Sequence, residues 1–329
     1  MKKHVTIQEV ANRAGVSKTT ISRYLNGKFG NMSLDTKRKI QLIIDELDYR
    51  PSKQAQGLKS NKSWLIGLLV ADIANQYTAY IIKAVQDALM DTGYQLLIMN
   101  TNNSETEEQR AIQKLIDQNI DGILLQPVAT ELTAFQQIID QEIPTVLVDR
   151  FLNIDRWTTV QTNNIQVSKK MAEIIVANGY QKIVHVSEAI GDISPRAERY
   201  QGIRLGTLDT NCQVELLELH HTGKGQDIVE FCSEEFKEKT CFFAANGNAM
   251  YETVVGLNNC QLKFPIDCGL AGYDDWFWGE LIQPGITTIH QVPERIGERA
   301  VEVLMQEIDI PQPTETIEIA AEIHLRGSL

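Results

Sequence analysis

The sequence predicts a mixed α/β protein in which a small all-helical head precedes a larger body of parallel β-sheet covered by helices. Three observations predict it. Over roughly the first fifty residues, apolar positions recur every three to four residues in short runs opened by Ser or Thr, the period of capped amphipathic helices. From Trp64 onward, apolar strand patterns alternate with amphipathic helical ones, as parallel strands do with their crossover helices. Charge is partitioned along the same boundary: residues 1–62 carry 13 Lys and Arg against 5 Asp and Glu, a balance of +8, in a chain of 329 residues with formal net charge −12. A basic head on an acidic body suggests a nucleic-acid-binding module joined to a soluble domain of another kind. On charge alone, a merely solvated basic face is the alternative.

The first helix is predicted from Thr6, an N-cap with Glu9 three residues on, the pairing of a capping box. Ile7, Val10, Ala11 and Ala14 share one face, and Gly15 can take the left-handed conformation that ends a helix and turns the chain. Ser17 caps a second helix with apolar Ile21, Tyr24 and Leu25, leaving Lys18, Thr19, Thr20, Ser22 and Arg23 on other faces. Two short helices meeting at a glycine turn form a helix-turn-helix. A third runs from Ser33, with Asp35 in its first turn, to about Leu47, and Ile40, Ile43, Ile44 and Leu47 form its buried stripe. The second helix of such a unit enters the DNA major groove. Lys18, Thr19 and Arg23 are therefore expected at base edges or groove walls, and Thr6, Ser17 and Thr20 at phosphates. Asn26 and Tyr49 complete the candidate DNA-binding set of this head.

After Tyr49-Arg50-Pro51 the stretch PSKQAQGLKSNKS is short and polar, the composition of a linker. Strands are then predicted at 64–71, 94–99, 121–126, 144–149, 182–187, 214–219, 240–245, 268–273 and 286–290. Helical segments fall between most of them, at 77–91, 105–118, 165–178, 197–209, 246–257 and 293–308. In open parallel sheets, ligands bind beyond the carboxyl ends of strands. Four polar clusters stand there: Asp149-Arg150, Arg196 with Arg199, Asn246, and Asp274-Asp275 followed by Trp276, Phe277 and Trp278. Carboxylates, an amide, arginines and aromatic faces together suit a sugar, because planar polar groups bind vicinal hydroxyls and a ring covers the apolar pyranose face. Several arginines also suit an anionic substituent, bound bidentately. Asp275 as a helix cap, Trp278 as core and Asp149 as a hinge residue are the structural alternatives.

Other chemistry is not indicated. The five cysteines, Cys212, Cys232, Cys241, Cys260 and Cys268, are odd in number and lack C-x-x-C pairing, so reduced thiols are expected. The six histidines show no metal-ligand spacing, and no metal or cofactor is expected. No activated nucleophile or phosphate loop is readable, which argues against an enzyme. The amino terminus has no apolar signal core and no run reaches the ~18 apolar residues of a membrane span, so a cytoplasmic location is the expectation.

The motifs V-T-I-x-E-V-A-x-x-A-G-V-S-x-x-T-I-S-R-x-L-N-G and L-D-Y-R-P-S resemble the amino-terminal region of the LacI/GalR family of transcriptional regulators. The segments PGITTIHQVPERIGERAVEVL and AAEIHLRGSL extend that resemblance toward the carboxyl terminus, with Val292 before Pro293 where the family has Gln-Pro directly. The resemblance implies two doubly wound subdomains like those of a periplasmic sugar-binding protein. The expected boundaries are 1–50 for the head, 51–62 for a hinge and 63–329 for an effector-binding body. Within the body, the first subdomain is expected at about 63–161 and 291–312, and the second at about 162–290 and 313–329. It also implies that residues 51–62 become a helix on operator DNA and that Leu58 wedges into a minor-groove step, which adds Leu58 and the neighbouring Lys59 to the candidate DNA-binding set. Here the family's A-R-S-L reads Ala55-Gln56-Gly57-Leu58, and Gly57 lowers helix propensity by ~1 kcal/mol relative to alanine. The family's effector motifs stand as Arg199-Tyr200-Gln201-Gly202, Ala245-Asn246-Gly247-Asn248 and Gly272-Tyr273-Asp274-Asp275, with Gly247 where the family commonly has aspartate. Arg150 and the context of Asp274 are similar to the subgroup governing use of 2-keto-3-deoxygluconate and uronic-acid polymers. The expected function is thus a homodimeric repressor of a carbohydrate operon, binding a pseudopalindromic operator and controlled by a sugar or sugar acid. A cytoplasmic sugar-binding protein, or a regulator answering to a corepressor or phosphoprotein, stays open as an alternative.

Overall fold

A computed structural model describes residues 5–30, 32–49, 62–152, 156–191, 193–221, 223–233, 238–274 and 278–329. The chain divides into two units, Met1–Trp64 and Leu65–Leu329. Leu58, Lys59 and Trp276 lie outside the described residues, as does Asp275.

The first unit contains α1 (Ile7–Ala14), α2 (Lys18–Leu25) and α3 (Leu34–Glu46). Each opens on the residue its sequence predicts. Thr6 and Glu9 form a complete capping box, Ser17 accepts from the Thr20 amide, and Ser33 accepts from the Thr36 amide. Such caps contribute about 1 kcal/mol each. Gly15, at φ +65°, ends α1 and donates its N–H to the carbonyls of Ala11 and Asn12. The core is Val10, Ala11, Ala14, Ile21, Ile40, Ile43 and Tyr49. Ile44 and Leu47, expected in the buried stripe, are only half-buried at its margin. An Arg13–Glu46 ion pair at 2.9 Å ties α1 to α3.

Among its described residues, the second unit holds twelve strands in two six-stranded sheets. In the first, β1 (Leu65–Val70), β2 (Gln95–Asn100), β3 (Gly122–Leu125), β4 (Thr145–Val148), β5 (Thr158–Thr162) and β11 (Thr316–Ile319) lie in the order β2-β1-β3-β4-β5-β11, all parallel. In the second, β6 (Lys182–Glu188), β7 (Gln213–Leu219), β8 (Thr240–Ala244), β9 (Gly269–Tyr273), β10 (Thr287–His290) and β12 (Glu322–His324) repeat that order as β7-β6-β8-β9-β10-β12, and only the edge strand β12 is antiparallel. This is the doubly wound topology, made twice. The central strands are buried and largely apolar because helices cover both their faces, with His185 and Ser187 of β6 as buried polar exceptions.

The helices of this unit are α4 (Gln76–Leu89), α5 (Glu105–Asp117), α6 (Gln136–Asp140), α7 (Asn164–Ala177), α8 (Ser194–Thr207), α9 (Gln226–Phe231), α10 (Gly247–Asn259), α11 (Trp278–Leu281) and α12 (Pro293–Asp309). Helix α12 returns to the first sheet, where Ile296, Ala300, Val301 and Leu304 join Ile81, Val85 and Leu89 of α4 in one buried cluster. Each of these Ile, Val and Leu side chains contributes about 1.5–3 kcal/mol on burial.

The chain passes between the sheets three times: after β5, after β10, and between β11 and β12. The passes are stitched together, since the Ala321 amide donates to Asn163 Oδ1 at 2.9 Å and Thr162 Oγ1 lies 3.1 Å from Gln291 Oε1. One expected boundary is corrected here. Residues 313–329 do not belong wholly to the second subdomain, because β11 pairs with β5 of the first sheet and turns Ile317 and Ile319 into its core. Only β12 and the terminal residues complete the second.

Candidate functional site

In the first unit, Lys18, Thr19, Arg23 and Asn26 are exposed along α2 or at its end. Thr6 and Ser17, at the amino-terminal ends of α1 and α2, are exposed while their hydroxyls cap those helices. Thr20 is half-buried, its hydroxyl 2.9 Å from that of Ser17. Tyr49 is only 9% exposed, its ring packed in the three-helix core rather than standing out on the surface with α2. A core this small needs the ring's apolar area more than a surface position can offer.

In the second unit, the two sheets end in the same device. Asp149 follows β4 and Asp274 follows β9, both in the left-handed region at φ +68° and +71°. Aspartate tolerates that conformation better than most residues. Each donates its amide to the next strand, Asp149 to the Val160 carbonyl and Asp274 to the Ile289 carbonyl. Each carboxylate is held by a glutamine: Gln126 Nε2 donates to Asp149 Oδ2 at 2.7 Å, and Gln291 Nε2 donates to Asp274 Oδ1. The Gly247 amide adds a second bond to Asp274 at 2.8 Å. Both aspartates are buried. Burial raises the Asp274 carboxyl above its ordinary pKa, against the pull of Arg199.

Arg199, on α8, is 4% exposed. Its Nε donates to Asn164 Oδ1 at 2.9 Å, Nη1 to the Ala245 carbonyl at 2.7 Å and Nη2 to Gln291 Oε1 at 2.6 Å. The guanidinium lies 3.9 Å from the centre of the Tyr273 ring, a cation–π contact. Those three bonds use three of the five N–H groups of an arginine, leaving two for a ligand. The R-x-x-G spacing has a physical basis. A Cβ on Gly202 would lie 2.5 Å from the Ile165 carbonyl, and one on Gly206 would lie 2.5 Å from that of Lys169, so both glycines let α8 lie against the backbone of α7. That approach brings Arg199 to Asn164 at the start of α7.

Asn246 caps α10, accepting from the Ala249 amide at 2.9 Å, and its Nδ2 donates to Glu188 Oε2 at 2.7 Å. Arg196 reaches the same Glu188 at 3.4 Å and donates to the Ala189 carbonyl at 2.8 Å. Across from it, Arg150 donates to Asn103 Oδ1 at 3.0 Å and to the Pro127 carbonyl at 3.2 Å. Burial lowers the Arg150 pKa, and Arg196 and Glu188 of the second sheet are close enough to act on it. The Phe151 amide donates to Ser194 Oγ at 3.0 Å, a direct bond between the two halves. The expected residues Asp149, Arg150, Arg196, Arg199, Asn246 and Asp274 all gather where the two sheets' strand ends meet.

Sequence reasoning missed Gln126, Asn164, Glu188, Gln291 and Tyr77. Gln126, Glu188 and Gln291 each end or directly follow a strand, the one signal that could have found them. Burial, reinforced by Asp149, drives the Tyr77 phenol well above its ordinary pKa. Gln291 is central: it sits in the pass after β10, and its amide holds Thr162, Arg199 and Asp274 together. Among the described residues no group of His, Cys, Asp and Glu is arranged to hold a metal, and no helix is long and apolar enough to cross a membrane.

Comparison with known proteins agrees with this architecture. Residues 6–52 match the family model of bacterial regulatory proteins, lacI family, and residues 66–309 match that of the periplasmic binding protein domain. The HTH-type transcriptional regulator KdgR of Bacillus subtilis is 37% identical over 99% of this chain and 98% of its own length. The HTH-type transcriptional regulator PtxS of Pseudomonas plecoglossicida is 32% identical over 98% and 95%. Among solved structures, the lac repressor dimer bound to operator and the anti-inducer ONPF is similar with a TM-score of 0.87 at 20% identity, over 99% of each chain.

Proposed function

From the premise that this chain belongs to the LacI family of DNA-binding transcriptional regulators, we propose that it is a homodimeric repressor of a carbohydrate operon, released from DNA by a sugar acid bound between its two sheets. The observation that carries this reading is the pairing of a buried Arg199–Gln291–Asp274 chain with Arg150 and Arg196, which face each other from opposite halves. Asp149, Asp274 and Asn246 suit the hydroxyls of a sugar, and two arginines that repel one another gain from an anion placed between them. Asp149 and Glu188 already offset part of that repulsion, and a neutral hexose would add nothing to that offset. The cytoplasm, where operator DNA lies, is the place of this work.

On this reading residues 1–50 dock in the major groove through Lys18, Thr19 and Arg23, with Thr6, Ser17, Thr20 and Asn26 at the backbone. Residues 51–62 form the hinge, with Leu58 as wedge and Lys59 beside it, and Trp276 covers the sugar ring. Ligand competes for Arg199 and Asp274, so it loosens Gln291 from the pass it stitches and changes the angle between the halves. The coupling is reciprocal: DNA weakens effector binding by the factor by which effector weakens DNA binding.

The test is anisotropy of a labelled operator duplex titrated with the protein at fixed salt, with 2-keto-3-deoxygluconate, galacturonate, glucuronate or glucose present. A sugar acid is expected to lower operator affinity while glucose does not. Operator affinity indifferent to all four would refute the reading. Tighter binding with a sugar acid would make the ligand a corepressor instead.

A further inference from the structure

The five cysteines of the chain gather at one end of the second sheet. Cys212, Cys241 and Cys268 stand at or just before the amino-terminal ends of β7, β8 and β9, and Cys232 and Cys260 are the C-caps of α9 and α10. Asn246 and Asp274 follow the carboxyl ends of β8 and β9, so the thiols lie away from the site described above.

Two of the five are brought together by the packing of their helices. Helices α9 and α10 touch at Ile228 and Gly256, where a Cβ on the glycine would lie 2.4 Å from the Ile228 Cβ. The absence of that carbon is what lets the two backbones approach. The Cys232 amide donates to the Ile228 carbonyl at 2.9 Å, and the Cys260 amide donates to the Gly256 carbonyl at 3.0 Å. Each cysteine therefore stands one helical turn beyond the same contact. One turn before that contact, the Gly225 amide donates to Glu252 Oε2 at 2.7 Å, so the helices run side by side in the same direction. Cys260 is accordingly close enough to Cys232 to act on it by charge and by hydrogen bond. We propose that Cys232 and Cys260 form a modification site, a dithiol that a hydroperoxide converts into a reversible intramolecular disulfide.

Both thiols are free and half-buried, so an oxidant reaches them, whereas Cys241 and Cys268 are at most 1% exposed. Among the described residues no third donor completes a metal set around the pair, which leaves oxidation as its chemistry. The two sulfurs take different parts. Burial, reinforced by Cys260, pushes the Cys232 thiol up to about 12, so Cys232 keeps its proton and Cys260 is the sulfur that attacks first.

In the first step the Cys260 sulfur attacks the terminal oxygen of the hydroperoxide. The O–O bond breaks, and the alcohol leaves with the thiol proton. In the second step the Cys232 sulfur attacks the resulting sulfenic acid. The S–S bond forms, the S–O bond breaks, and the Cys232 proton leaves with the hydroxide as water. Two thiols are oxidised and one peroxide is reduced, and thiol–disulfide exchange with an external dithiol restores the pair. The crosslink ties α9 to α10 and uses no residue of the Arg199 cluster, so it does not rest on the sugar-acid reading.

Peptide mapping of the full chain tests it, after exposure of the native protein to about 1 mM hydrogen peroxide at pH 7.5 and alkylation of the remaining thiols. The expected result is a peptide pair joined through Cys232 and Cys260, a mass loss of about 2 Da, and reversal by dithiothreitol. Cys232→Ser should stop the sequence at the sulfenic acid, so dimedone should label Cys260 in that variant and not in the parent. Cys260→Ser should abolish both the crosslink and the label. Mapping the parent needs no variant to fold. All five thiols still alkylated after peroxide, Cys260 found as sulfinic acid beside a free Cys232, or a bond from either cysteine to a different partner would overturn the proposal.

Discussion

Replacing Arg199 with alanine removes three donors at once from a place that water hardly reaches. Asn164 Oδ1 and the Ala245 carbonyl lose the bonds that Arg199 gives them, whereas Gln291 Oε1 keeps Thr162. The carboxylate of Asp274, 3% exposed, keeps its bonds from Gln291 and Gly247 but loses the positive charge that offsets its burial. Arg199 and Asp274 are bridged by Gln291 rather than in direct contact, so the cost stays at or below the ~3–5 kcal/mol of a buried ion pair broken from one side, about 3 kcal/mol. Because Arg199 is 4% exposed, solvent screening takes little from that figure. Removing the charge left behind should recover part of the loss, so Arg199→Ala/Asp274→Asn is expected to regain about 1–2 kcal/mol over Arg199→Ala. Urea denaturation followed by circular dichroism at pH 7.5 measures all four corners of the cycle. Arg199→Lys, which keeps the charge but not the planar fork, is expected to fold and to lose sugar-acid response. If Arg199→Ala costs less than about 1 kcal/mol, or if the Asp274→Asn change adds to the damage, the electrostatic account of this cluster is wrong.

His185 predicts a distinct acid response: it is fully buried on β6, and burial, with Arg199 nearby, lowers its pKa from 6.5 to about 3. The folded state therefore keeps it neutral while the unfolded state takes a proton below pH 6.5, so its penalty is absent well above that pH and grows down to about pH 3, reaching about 1 kcal/mol at pH 5.5. His185→Phe, set between Tyr200 and Phe243, should lose that share of the acid sensitivity, and denaturation curves for variant and parent that stay parallel from pH 8 to 5.5 would contradict it. Gly202→Ala should destabilise by about 1–3 kcal/mol despite a helix-propensity gain of ~1 kcal/mol, because the added carbon meets the Ile165 backbone; a rise in urea midpoint would show that α8 can move away freely. Arg23→Gln should cost ~1–3 kcal/mol on the best operator and much less on unrelated duplex, so an equal loss on both would reassign Arg23 to phosphate.

The head was readable almost to the residue because its signals are local. Thr6 with Glu9, Ser17, Ser33 and Gly15 act through hydrogen bonds that span three or four residues. The nine apolar strands were equally plain. What sequence reasoning missed were β5, β11 and β12, short and partly polar strands whose identity rests on a neighbour far along the chain. TTVQT looks like a loop until β4 and β11 flank it, and TIEI looks like a tail until it pairs with β5.

In the site, Asp149, Arg150 and Asp274 were found because a carboxylate or guanidinium after an apolar strand stands out, whereas Glu188 escaped because the predicted strand stopped at 187, one residue short of it. Gln126, Gln291 and Asn164 escaped because an amide carries no such contrast, and their importance comes from what they join. Tyr49 went the other way. It was placed in the DNA-binding set, whereas its ring packs in the core of the head at 9% exposure, a burial that no local pattern reveals.

Three side-by-side backbone passes between the sheets also limit what this body can say. Two rigid blocks on a single tether may turn about any axis, but three stitched tethers leave essentially one, like a door on several pins. A cargo of any shape wedged between the blocks can then only advance or reverse a single angle. Evolving a taste for a new nutrient thus requires rebuilding the lining and nothing of the reply.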